Sequence, residues 1–145
     1  MKYLGVALLV AMGVASSASA HEAVVDHAGV SYRLRYEPKV EVRAKTVGHS
    51  IGTRPSTERC RWTVNVQVER HIHASDTAQP LTRLLPDARS IGGEALGNCR
   101  QNARAIAAAQ AARQSDIRDH VEAVARADRS VVFAEIDAAR ALALN

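Results

Sequence analysis

The sequence predicts an α+β fold: a three-stranded antiparallel sheet covered by C-terminal helices. Stretches near residues 29–36, 39–47 and 60–72 alternate apolar and polar side chains with period two. From about residue 93 onward there is no proline, and Ala, Arg, Gln, Glu and Leu dominate, which are good helix formers. Cys60 and Cys99, the only cysteines, fall in the third strand and the first helix, where a bridge would staple cover to sheet.

The first twenty residues, MKYLGVALLVAMGVASSASA, read as an export leader. Lys2 supplies the positive start, Leu4 to Val14 the apolar run, and Ala18-Ser19-Ala20 the small residues before a cleavage point ahead of His21. The run is shorter than the ~20 apolar residues that span a bilayer. No Cys follows the cleavage point, so the lipid-anchor pattern is missing there. Residues 21–145 then form the mature domain, which is expected to be periplasmic or secreted with no membrane span after processing. That length suits one domain and is short for two.

Each strand is read from its alternation. In Val30-Ser31-Tyr32-Arg33-Leu34-Arg35-Tyr36 the even positions are apolar. Val40 to Thr46 and Cys60 to Val68 repeat the pattern, as half-buried strands of an antiparallel sheet do. Glu37-Pro38 marks a tight connection or kink between the first two, because proline cannot donate to a central ladder. Gly48 to Arg59 is a loop with glycines at both ends of its first part. Residues 74–91, with Pro80 and Pro86, read as a polar surface connection with one helical turn around Thr82 to Leu85.

Two helices follow, at about 93–114 and 116–143. Leu96, Cys99, Ala103 and Ile106 share one face of the first. Ile117, Val121 and Val124 open a second stripe that Val132, Ile136, Ala139 and Ala143 continue, with Ser115 placed to cap it. Arg118, Glu122, Arg126 and Asp128 are assigned to the wet side. The stripe is rich in alanine, so pairing with another helix through it alone would be weak, which points to a monomer or a weak homo-oligomer.

Composition narrows the function. The formal charge of +4 falls to +3 without Lys2, and the surplus arginines are interleaved with acids. Nucleic-acid binders instead cluster basic residues and interleave aromatics, and only Tyr32, Tyr36, Trp62 and Phe133 remain after residue 20. The helical tract lacks the large apolar residues and uniformly basic face of a membrane-surface helix. An even cysteine count in an exported chain favours a Cys60–Cys99 disulfide, and there is neither a C-x-x-C motif nor a four-ligand zinc pattern.

Two constellations bear on chemistry. Gly48-His49-Ser50-Ile51-Gly52 matches the G-x-S-x-G of serine hydrolases, but Thr53-Arg54-Pro55 follows where that motif needs a helix, so the segment reads as a loop. His71 and His73 stand two apart on the polar face of the third strand, with Cα atoms about 6.6 Å apart. His21, once it is the first residue, offers an amine and an imidazole together, a donor set suited to Cu(II). His27 and His49 are further candidates. The expected function is a small exported non-catalytic binding or interaction protein of the cell envelope, engaging a protein or envelope component. The alternative is a periplasmic copper- or zinc-binding protein using His21, His71 and His73.

Overall fold

A computed structural model describes residues 20–75 and 79–144. The architecture is α+β, with one antiparallel sheet of five strands where three were expected. Strands β1 (His21–His27), β2 (Val30–Val47), β3 (Arg59–Ala74), β4 (Leu81–Leu84) and β5 (Arg89–Leu96) are followed by helices α1 (Ala103–Ala111) and α2 (Gln114–Ala143). The sheet order is β1-β2-β3-β4, and β5 also pairs with β3. The leader read at residues 1–20 lies outside the described residues except for Ala20.

The two strands expected on either side of Pro38 are one continuous strand, β2. β1 covers β2 only from Val30 to Tyr36, and Pro38 lies two residues past that end, opposite Val68 of β3. Among the described residues no strand flanks β2 on that side beyond Tyr36. A missing N–H directed there therefore costs no ladder bond. β1 itself is reached through a two-residue hairpin turn in which Ala28 (φ 49°) and Gly29 (φ 79°) both adopt left-handed backbone. That geometry matches the twist of the flanking strands.

The segment expected to be a surface connection instead supplies two strands. β5 pairs along Arg59–Val66 and β4 along Glu69–Ile72, so together they cover one side of β3. Between them the Leu85 N–H donates to the Val68 carbonyl at 2.8 Å. Gly92-Gly93, read as a helix start, sits in β5 because Trp62 lies across it. A Cβ on Gly93 would stand 2.3 Å from Trp62 Cζ2. The first helix consequently begins at Ala103 rather than near 93. α2 matches the second expected helix closely, but Ser115 does not cap it: Arg113 holds the N-cap position and makes no side-chain cap bond.

The even positions of β2 and β3 face the helices. Tyr32, Leu34, Tyr36, Val68 and Ile72 pack against Val121, Val124, Val132 and Ile136 of α2. A second cluster joins Val64 and Val66 to Ile117. Burying one such aliphatic side chain contributes about 1.5–3 kcal/mol. Cys60 and Cys99 form the expected disulfide, with Cα atoms 4.7 Å apart. Cys99 lies in the turns before α1 rather than on a helix face, and its N–H donates to Thr46 Oγ1 at 3.0 Å.

One polar group interrupts this core. Arg70 is 1% exposed on the helix-facing side of β3. Its Nη1 donates to Asp128 Oδ2 at 2.7 Å, and its Nη2 donates to Glu135 Oε2. Tyr36, directly opposite Arg70 in register, donates its hydroxyl to the same Asp128 oxygen at 3.2 Å. Arg83 of β4 binds the other oxygen of Glu135. Asp128, expected on the wet side of α2, is therefore a core residue. Its place fits the α2 stripe, seven residues after Val121 and four before Val132. Burial, then the charge of Asp128 and its hydrogen bond, push the Tyr36 hydroxyl well above the usual phenol range.

Candidate functional site

With α2 covering the even positions, the odd positions of β2 and β3 form the other face of the sheet. This face carries Arg33, Arg35, Glu37, Lys39, Glu41, Arg43 and Lys45 on β2, and Arg59, Arg61, Glu69, His71 and His73 on β3. Register places them in rows across the sheet: Val24–Arg33–His73, then Glu22–Arg35–His71–Thr82, then Glu37–Glu69–Leu84. The strands are held in that register by the core beneath, because a shift of one residue would exchange the two faces.

The second and third rows converge. Glu37 and Glu69 are direct cross-strand neighbours, and like charges so placed repel unless cations intervene. His71 completes the group: one ligand atom from each of the three residues can be chosen so that all lie within 4.8 Å of one another. His71 Nε2 stands 3.1 Å from Glu69 Oε1 and 3.8 Å from Glu37 Oε2. That nitrogen is buried and makes no hydrogen bond of good geometry. The other ring nitrogen, Nδ1, lies 3.1 Å from Thr82 Oγ1 on β4, which fixes the ring plane. Two cations stand at the rim. Lys39 Nζ is 3.1 Å from Glu69 Oε1 and 3.9 Å from Glu37 Oε2, and Arg35 Nε is 2.8 Å from Glu37 Oε1.

The histidines singled out from sequence do not come together as a set. His71 and His73 share the open face, as their spacing implies. His73 sits opposite Arg33, beside a shallow concavity that Glu22 and Arg35 also line. His21 pairs with Tyr36 and thus lies on the helix-covered face, its ring centroid 6.2 Å from that of Tyr36 and close to Arg126 and Arg129 of α2. His27 ties β1 to α2, with Nε2 2.6 Å from Asp137 and its ring stacked on Phe133. His49 and Ser50 are in the exposed loop between β2 and β3, where Thr57 bonds the His49 backbone. The chain runs on from Ser50 through turns, not into a helix.

Glu37 and Glu69 were not singled out from sequence. Glu69 stands two residues before His71, a visible signal, whereas Glu37 reaches the group only through the β2–β3 register. The fold and this face define an α+β protein with one buried and one open, charge-patterned side of its sheet. Comparison with protein-family models, with curated proteins and with solved structures gave no match. Among the described residues no helix is long and apolar enough to cross a membrane.

Proposed function

We propose that this chain is a small exported, non-catalytic binding protein of the cell envelope, which engages a protein or envelope component through the open face of its sheet. The asymmetry of the sheet supports this reading best. One face is closed by α2 around the Arg70–Asp128–Glu135 ion network, while the other presents charges of alternating sign from Arg35 to Arg43 on β2 and mixed charged and polar side chains along β3, on strands of 18 and 16 residues. A rigid surface of this kind holds its charges at fixed spacings, which favours selective recognition over mere solubility. The leader pattern at residues 1–20 and the Cys60–Cys99 bridge support export, since disulfides persist in oxidising compartments.

Site-specific photocrosslinking in cells tests the reading. A photoreactive residue at Arg43, Arg61 or Thr63 on the open face is expected to give discrete adducts. The same residue at Arg118 or Glu122, on the outer side of α2, is expected to give none. Equal adducts from both sides, or none from either, would remove the open face as the binding surface. N-terminal sequencing of the protein from the envelope fraction is expected to start at His21, and Met1 there would remove the export half of the proposal.

A further inference from the structure

We propose that Glu37, Glu69 and His71 form a zinc site on the open face of the sheet, with Thr82 orienting the imidazole and Lys39 competing for the cation's position. The donor set is one imidazole nitrogen and two carboxylate oxygens. Zinc accepts such a set with three protein ligands and leaves a fourth position for water. Magnesium and calcium prefer oxygen ligands throughout, so the imidazole argues for a softer ion.

Two independent features point to a cation rather than to a chance cluster. His71 Nε2 is closed off from solvent and makes no hydrogen bond of good geometry, while facing Glu69 Oε1 at 3.1 Å and Glu37 Oε2 at 3.8 Å. Its opposite nitrogen is held by Thr82 Oγ1, the outer-shell arrangement by which protein oxygens fix a metal-binding ring. The second feature is the pairing of Glu37 with Glu69 across adjacent strands. Lys39 and Arg35 offset that repulsion from the rim, and neither engages His71 Nε2, which meets Glu69 at 3.1 Å without hydrogen-bond geometry. A zinc ion would supply two charges and engage all three donors at once. His73 is excluded from this set because it lies two rows from the Glu37–Glu69 pair, opposite Arg33. Zinc binding here is independent of the partner-binding reading, because it depends on these side chains alone.

Calorimetric titration of Zn2+ into the exported, disulfide-intact protein tests the site. All variants are made in a His21→Ala background, so that the terminal imidazole does not contribute. His71→Ala and Glu69→Gln are each expected to weaken binding at least tenfold, and Thr82→Val several-fold. His73→Ala is expected to change it less than twofold. Lys39→Met is expected to tighten binding at least threefold, a gain that no loss of fold can imitate. The proposal is overturned if zinc shows no saturable binding, or if His71→Ala leaves the affinity unchanged. It is also overturned if His73→Ala weakens binding as much as His71→Ala while Glu37→Gln and Glu69→Gln have no effect, or if Lys39→Met fails to tighten it.

Discussion

Asp128→Asn isolates the contribution of the buried ion network. The substitution keeps the shape of the side chain and an oxygen for the Tyr36 hydroxyl, and it removes the charge that Arg70 Nη1 meets at 2.7 Å. Arg70 is 1% exposed and Asp128 8%, so neither side chain can turn to water for a replacement. Breaking a buried pair by removing one partner costs about 3–5 kcal/mol. Glu135 remains bound to Arg70, which places the expected loss near the lower end, about 3 kcal/mol. For a domain of this size that corresponds to a fall of about 10–15 °C in Tm. Guanidinium unfolding at neutral pH with the disulfide intact, followed by Trp62 fluorescence and by circular dichroism, gives the free energy directly. The companion variant Arg70→Met/Asp128→Leu removes both charges and is expected to lie within about 1 kcal/mol of the parent, or above it. A loss under about 1 kcal/mol for Asp128→Asn, or a double variant as unstable as the single one, would refute a desolvated Arg70.

Three further outcomes are expected. Because the folded state raises the Tyr36 pKa above its ordinary 10.0, that residue's contribution is complete below about pH 10 and falls as pH rises, when the unfolded chain releases the proton first. Tyr36→Phe should therefore cost about 1 kcal/mol at neutral pH and flatten the alkaline loss of stability, and an unchanged alkaline slope would contradict this. Gly93→Ala should push the Trp62 indole off β5, destabilise the fold by about 1–3 kcal/mol and shift the tryptophan emission, and an unshifted spectrum would count against the packing. Replacing both Cys60 and Cys99 by alanine opens a link between positions 39 residues apart and should cost about 2–5 kcal/mol, with non-reducing peptide mapping of the parent recovering the linked pair.

The parts of the fold readable from the chain are those where local pattern and tertiary role agree. The alternation in Tyr32-Arg33-Leu34-Arg35-Tyr36 and Val64-Asn65-Val66-Gln67-Val68 sorts side chains to the two faces as observed. The stripe from Ile117 to Ile136 likewise marks the buried side of α2. Where the non-local setting of a punctuation residue decides its role, local reading fails: Pro38 is tolerated beside an open edge, and Gly93 is covered by Trp62. Arg70 and Asp128 each break an apolar stripe, at an even position of β3 and at a heptad position of α2. Two misplaced charges of opposite sign are a legible sign of a buried pair, but only once strand and helix are known to face each other. The candidate site divides in the same way, since the polar orientation of His71 follows from alternation and the approach of Glu37 follows from non-local register.

The stretch of β2 beyond Tyr36 also bears on how the molecule avoids its own kind. From Glu37 to Val47 the strand has β3 on one side and, among the described residues, no strand on the other. Such an edge is a template on which a second chain can add a strand and begin an aggregate. Pro38 removes a donor at one end of it, and Lys39, Arg43 and Lys45 place cations along it. A partner strand joining this edge would have to complement the order Glu37, Lys39, Glu41, Arg43 and Lys45, so the charges that pattern the open face also restrict which strands could extend the sheet.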